Sequence, residues 1–338
     1  MSVRIEKPGL LTSIQDLGRS GYQKFGIIAS GAMDPFAVRV ANLLVGNDDK
    51  VGVLEITMVG PTLTFEADMV IAICGGDLTP SIEKEPVPMW RGVFVRKGST
   101  LTFGPIKNGT RAYLAVSGGF DLPFVMESQS TYLRAGIGGF DGRTLQAGDV
   151  LQVKSMPSYV EERAALVGEQ LSESMLFTPL TPSLFSHLQP NYQSKPVIRV
   201  VRGRQYDFFD DESRETFFAK PFKVQPQSDR MGYRLSGPKL QLTKPKELIS
   251  EAVTFGTIQV PADGNPIVLM ADRQTTGGYP IIAQVITVDL PVMAQLNLGA
   301  EVRFEEISLE DGQMLLVERE HHLHMLKQGI KLHYRSKV

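Results

Sequence analysis

Short apolar runs, each too brief for a helix and each closed off by Gly, Pro or a charge, recur along the chain, and this rhythm restricts the fold more than any other feature. In the first half they fall at 2–6, 62–65, 69–74, 92–95, 100–103, 112–116 and 150–153; in the second at 197–201, 222–225, 257–260, 267–270, 283–288 and 301–305. A turn signal roughly every ten residues between strand-sized runs predicts a mainly β protein, built as barrels or sandwiches. The 32 Gly and 21 Pro supply the turns. Helix is expected in few places. Asp34 can cap a helix over 34–45, with Pro35 at its first position, Gly46-Asn47 after its end, and Phe36, Val40, Leu43 and Leu44 on one face. A small helix is expected near 211–218, pinned by phenylalanines to a second core, and a charged one near 160–171.

The pattern breaks between residues 154 and 196, where prolines at 179, 182, 190 and 196 follow the charged helix. The expected division is therefore a β domain over 1–153, a connection over 154–196, a second β domain over 197–309 and a C-terminal extension over 310–338, the last mixed, with a strand and then a helix carrying His321, His322 and His324. Self-similarity supports two like halves. Arg19-Ser20-Gly21-Tyr22 matches Arg230-Met231-Gly232-Tyr233, Ser30-Gly31 matches Ser236-Gly237, and Glu55 and Glu251 each stand five residues before a Gly. Gly118-Gly119-Phe120 then parallels Gly277-Gly278-Tyr279, and Gly148 parallels Gly299.

Composition excludes several function classes. The net charge of −2, with the signs interspersed, argues against a nucleic-acid surface. The single Cys74 rules out an internal disulfide and a cysteine metal site, and reads as a small core residue. No run is long enough to cross a membrane and no signal peptide is evident, so a cytoplasmic protein acting on small molecules or protein partners is expected. No Walker-type loop occurs, and the glycines at 136, 138 and 139 lack the strand–helix setting of a dinucleotide loop. The three histidines suit a solvated tail better than a metal site, so no metal ligands are assigned.

One stretch concentrates polar chemistry at a strand end. After the apolar run 266–270 come Asp272, Arg273, Gln274, Thr275, Thr276, Gly277, Gly278 and Tyr279. Paired glycines allow positive φ and close approach of a ligand, and the polar groups crowd the same turn. The same residues suit a tight turn in which Asp and Thr satisfy their own backbone, and local sequence leaves both readings open.

The stretches 11–22, 30–35, 41–47, 228–235 and 272–280, in this order, resemble the allophanate hydrolase subunit 2 family, also described as biotin-dependent carboxyltransferase-like. Among stand-alone bacterial members the chain is similar to the C subunit of the ATP-dependent 5-oxoprolinase, a group that includes antagonists of the sporulation-kinase inhibitor KipI. The resemblance implies two tandem cyclophilin-like β-barrel domains with a few short helices. It implies a component that acts with the KipI-like B subunit and the A subunit of 5-oxoprolinase, using ATP with Mg²⁺, to open the lactam of 5-oxoproline to glutamate. No covalent biotin is expected on this chain, which lacks a Met-Lys-Met sequence. The alternatives are a carboxyltransferase acting on a urea- or allophanate-type amide, and a non-catalytic module that antagonises a KipI-type inhibitor. Lactam activation develops negative charge on oxygen, which calls for fixed cations and donors. For that chemistry Asp272, Arg273, Asp229 and Arg230 are the catalytic candidates. Asp16, Arg19, Gln205, Gln274, Thr275, Thr276, Gly277, Gly278 and Tyr279 are the substrate- or nucleotide-binding candidates. Tyr22 and Tyr233 read as packing residues. Where the family tends to have Gly-Pro-Gln, this chain has Gly203-Arg204-Gln205, which changes the charge beside Gln205.

Overall fold

The computed structural model describes residues 1–184, 188–244 and 248–336, and the chain divides into two compact units. The first unit comprises 1–18, 34–190 and 321–338; the second comprises 19–33 and 191–320.

Among the described residues, twelve strands belong to the first unit: β1 (Ser2–Lys7), β2 (Leu11–Gln15), β3 (Val53–Thr57), β4 (Thr62–Phe65), β5 (Met69–Asp77), β6 (Ser81–Ile82), β7 (Glu85–Pro86), β8 (Gly92–Val95), β9 (Thr100–Thr102), β10 (Asn108–Val116), β11 (Val150–Gln152) and β12 (Phe177–Pro179). They form two six-stranded sheets, in the orders β11-β1-β4-β9-β6-β7 and β12-β8-β5-β10-β3-β2. Ile5, Ile14, Leu54, Phe65, Ile73 and Leu114 are among the residues of the shared core. Helix α1 (Pro35–Leu44) is capped as its sequence predicts, with Asp34 Oδ1 accepting from the Ala37 N–H at 2.9 Å. Gly46, at φ 77°, ends it, and its N–H reaches the Leu43 carbonyl at 3.0 Å. Asn47 then ties the helix end to β10, donating to the Val116 carbonyl at 2.8 Å and accepting from Gly118 N at 2.8 Å.

Residues 154–196, expected as a connection, are largely incorporated into the first unit. Helix α2 (Ser158–Gln170) buries Val160 and Ala164, and β12 pairs antiparallel with β8. Proline spacing suggested a linker because it resembles one locally; the pairing that overrides it is long-range.

The second unit contains β13 (Val197–Arg202), helix α3 (Asp211–Ala219), β14 (Phe222–Val224), β15 (Gly232–Ser236), β16 (Glu251–Ala252), β17 (Thr257–Gln259), β18 (Ile267–Leu269), β19 (Thr276–Gly277), β20 (Ile281–Val285), the short helix α4 (Leu290–Ala294) and β21 (Glu301–Glu306). Seven of its strands close a barrel in the order β13-β20-β17-β18-β15-β14-β21, while β16 and β19 form a separate two-stranded ladder. Phe217 of α3 stacks on Phe304 with ring centroids 4.8 Å apart, and Phe222 packs beside both. A barrel was expected in each half. The closed ring is found in the second, and the first lays its strands in two sheets.

Helix α5 (Leu309–Arg335) starts in the second unit and ends in the first. A strand was expected before the histidines, but the helix is continuous. Ser308 sets its start, accepting from the Asp311 N–H at 3.0 Å and donating to Asp311 Oδ2 at 2.7 Å. Gly312 and Gly329 interrupt the helical signal in the sequence without interrupting the helix.

The internal matches divide on inspection. Gly148 (φ 90°) and Gly299 (φ 82°) make the same two contacts. Gly148 N donates to Ile5 O at 2.8 Å while Ile5 N donates to Asp149 O; Gly299 N donates to Val224 O at 2.8 Å while Val224 N donates to Ala300 O. By contrast Gly118 and Gly119 both have positive φ in the turn after β10, whereas Gly277 and Gly278 do not and lie in and after β19.

Candidate functional site

The pairing of β15 with β18 sets Arg230 beside Asp272, because Gly232 stands opposite Leu269 and the two chains run out of the barrel together. Asp272 N donates to Arg230 O at 2.8 Å. The side chains then close a two-point ion pair: Arg230 Nε to Asp272 Oδ2 is 2.9 Å and Nη2 to Oδ1 is 3.1 Å. Both residues are 8% exposed. Ser30 Oγ donates to Asp272 Oδ1 at 2.7 Å, and Arg230 Nη2 donates to Gly31 O at 2.6 Å. These bonds fix the 19–33 segment within the second unit, where Met33 joins the hydrophobic core. Each carboxylate oxygen of Asp272 therefore already has a charged or hydroxyl donor.

Asp229 does not join that pair. It is exposed, and its Oδ1 accepts from Met231 N at 2.8 Å and Gly232 N at 3.3 Å, the pattern of an Asx turn.

Arg273 differs from Arg230. It is partly buried, its Nη1 donates to the Met270 carbonyl at 3.3 Å, and its guanidinium lies 5.7 Å from the Phe255 ring centroid. Burial pushes its pKa down to about 10, with Asp272 nearby acting in the opposite direction. At neutral pH it is a cation, incompletely solvated, with a hydrogen-bonding fork that only one backbone carbonyl uses among the described residues.

From Arg273 the chain runs along the barrel edge and is stapled at intervals. Val253 N donates to Thr275 O at 3.2 Å, Ala252 and Glu251 pair with Thr276 and Gly277, Gln259 Nε2 donates to Tyr279 O at 3.2 Å, and Ile281 N donates to Gln205 Oε1 at 3.1 Å. The backbone is thus committed. The side chains of Gln274, Thr275 and Thr276 make no side-chain hydrogen bond among the described residues. Positive φ is not what Gly277 provides: a Cβ there would stand 2.6 Å from Gln259 Nε2, so the requirement is space. Gly278 has its nearest neighbour, Ser250 Oγ, at 3.3 Å from such a Cβ. Tyr279 is half exposed and borders a cavity of about 670 Å³ in this unit, lined also by Gln225, Arg234, Ser236, Asn265 and Pro266.

Gln205 is buried, and its Nε2 lies 3.4 Å from Glu251 Oε1. The family-divergent Arg204 sits beside it with Nη1 3.2 Å from Glu251 Oε2, so its charge is offset at the surface. Gln259 and Ser30 were not picked out for the site by the sequence. Ser30 was visible as a repeat marker and within the resembling stretch 30–35, without a role in the site, and Gln259 carries no local signal at all.

Two further binding candidates, Asp16 and Arg19, are both buried. Asp16 belongs to the first unit and is 4% exposed. Its Oδ1 accepts from Gly18 N at 2.8 Å, Ser128 Oγ at 2.7 Å and Ser130 Oγ at 2.5 Å, and its Oδ2 accepts from Gln129 N at 2.6 Å. Those donors make it the knot that joins the loop after β2 to the 128–130 segment. Arg19 is buried in the second unit, its N–H bonded to Ala29 O at 2.7 Å and its carbonyl accepting from Gln23 Nε2 at 2.8 Å. Tyr233 donates to Ala294 O at 3.0 Å, as a packing residue does. Glu55 accepts from Tyr113 Oη at 2.9 Å in the first unit, and burial together with the charges of Glu55 and Asp34 pushes the Tyr113 pKa well up.

His321 and His324 are exposed on α5. Among the described residues no group of three or more His, Cys, Asp or Glu side chains could hold a metal ion. No chemical step is routed through a metal ion held by this chain. No helix of the described residues is long and apolar enough to cross a membrane.

A barrel whose edge carries a stapled polar loop with one underused guanidinium is suited to holding an anionic or carboxylate group. Comparison with known proteins defines the class. A family model of the carboxyltransferase domain, subdomain A and B, matches residues 25–306, and the chain belongs to that family. It is 39% identical to the C subunit of 5-oxoprolinase from Haemophilus influenzae over 316 residues, covering 94% of each chain. It is 39% identical to the C subunit of 5-oxoprolinase from Escherichia coli K12 over 312 residues, covering 92% of this chain and 93% of that one. Among solved structures, the urea amidolyase of K. lactis superposes with a TM-score of 0.85 at 29% identity, over 96% of this chain and 20% of that one. The chain thus spans a fifth of the amidolyase and nearly the whole of the oxoprolinase subunits.

Proposed function

We propose that the chain is a component of a heteromeric, ATP-dependent 5-oxoprolinase that opens the lactam of 5-oxoproline to L-glutamate, working in the cytoplasm with a KipI-like B subunit and an A subunit. The observation that carries this reading is the match at 39% identity over 94% of both this chain and its Haemophilus influenzae relative. In this reading each half is a cyclophilin-like domain and the site is the 272–279 loop. Arg273 holds substrate carboxylate or developing negative charge, and Thr275, Thr276 and Gln274 supply neutral donors beside it. The Asp272–Arg230 pair positions that loop rather than reacting. ATP would supply activation of the lactam in the assembled complex, and its phosphates and metal would draw on the other polypeptides as well as on this one.

The likeness to urea amidolyase favours a second reading, transfer of a carboxyl group to or from a urea-type amide. Carboxybiotin would then be delivered from outside the given sequence, which has no Met-Lys-Met. The deciding experiment mixes this chain with the A and B subunits, supplies 5-oxoproline and ATP, and measures glutamate and ADP while omitting each chain in turn. Release that depends on all three chains is the expected result. Turnover of urea with a biotinylated carrier, and none of 5-oxoproline, would move the assignment to the second reading. A stable complex whose turnover ignores this chain would leave it a KipI-antagonist module.

A further inference from the structure

Helix α5 presents two opposite faces. Leu323, Ile330 and Tyr334 are buried on one, where Tyr334 Oη donates to Leu44 O at 2.8 Å and His333 Nε2 lies 2.9 Å from Leu180 O. On the other, Met314, Val317, Met325 and Leu332 are 61, 69, 57 and 70% exposed. At 100° per residue those four and His321 fall in one stripe, diametrically across from the packed residues. Steps of three, four, four and seven residues are the spacing of a helix-pairing seam about 27 Å long.

Charge along the helix says what would cover it. Flanking the stripe, the first half carries Glu310, Asp311 and Glu318 and the second half carries Lys331 and Arg335, while Lys327 is turned to Asp48, 3.9 Å away. A surface that is acidic at one end and basic at the other, with an apolar row interrupted by His321 and Gln328 between, is complementary to itself when inverted.

We infer that the exposed stripe of α5 docks on the same stripe of a second copy of this chain, antiparallel and centred on Leu323. That register sets Met314 against Leu332 of the second copy, His321 against Met325, and Asp311 against Arg335. The parallel arrangement would stack acid on acid and base on base. One helix pair buries less than the roughly 800 Å² per partner of a standard interface, so the dimer forms with increasing concentration.

The test is the mass of the 37.2 kDa chain in solution, by light scattering or sedimentation, from about 1 µM to about 1 mM. The expected result is a rise towards twice the monomer mass, abolished by Met325→Glu and by Val317→Glu, both at exposed positions. Orientation is read by cross-linking. A mixture of His321→Cys and Met325→Cys chains should form a disulfide between copies, and neither variant alone should, since Cys74 is buried. A monomer mass at every concentration, a dimer that survives both substitutions, or cross-linking of either single variant with itself would overturn the inference.

Discussion

At the scale of single residues, the proposed site gives the two arginines at the edge of the second unit's barrel opposite tasks. Arg230 is held by two bonds to Asp272 in a buried setting, and a buried pair that loses one partner leaves an uncompensated charge. Asp272→Ala is therefore expected to cost about 3–5 kcal/mol in denaturant unfolding and to loosen the 19–33 segment. Arg273→Ala should change unfolding free energy by no more than about 1 kcal/mol, since the side chain gives up one bond to a backbone carbonyl. If both substitutions destabilise equally, the division between strut and binding cation is wrong. Gly277→Ala should disturb the loop through Gln259, with loss of activity and without the strain of a left-handed backbone. The sequence made Asp272, Arg273 and the threonines visible because they cluster within a few positions after an apolar strand. It could not show that Arg230, forty-two residues away, and Ser30, in the other half of the chain, would saturate Asp272. Nor did it show Asp16 as a loop knot, because its serine partners at 128 and 130 are contributed over more than a hundred residues of separation.

At the scale of elements, legibility follows burial pattern. The strands over 62–65 and 92–95 stand where apolar runs predicted them, and α1 begins at its predicted cap. Strand β2 escaped notice because Thr12, Ser13 and Gln15 are polar yet buried, their bonds supplied by neighbours, as when Gln15 Nε2 donates to Thr131 O at 3.1 Å. The α1 cap gives a clean expectation: Asp34→Ala should lower stability by about 1 kcal/mol. Acid stability belongs to loop elements. Arg143 bonds both oxygens of Asp149 at 2.8 Å and, first among the causes, holds its carboxyl below the usual range. A carboxyl whose pKa is depressed by folding stabilises the fold above its unfolded pKa and loses that contribution as pH falls through the folded value. Unfolding free energy should thus decline as pH drops below about 4, and Asp149→Asn should flatten part of that decline. An unchanged slope would remove Arg143 from the account.

At the scale of the whole molecule, two barrels were expected and one closed barrel with two six-stranded sheets is found. Strand count is readable from sequence, whereas closure depends on which edges pair, and that is decided by contacts distant along the chain. The same limit applies to the exchange of residues 19–33 into the second unit and of 321–338 into the first. The functional reading rests on the likeness to oxoprolinase C subunits over more than nine-tenths of the chain, and the proposed site is a loop whose backbone is fixed and whose cation is available. The most direct test is the rate of glutamate release from 5-oxoproline and ATP by the complete three-component mixture containing Arg273→Ala. With the complex still assembled, the account predicts a loss of about a hundredfold or more, the scale of removing one charge-stabilising donor from an active site. A rate equal to that of the unaltered complex would contradict the placement of the site at this loop.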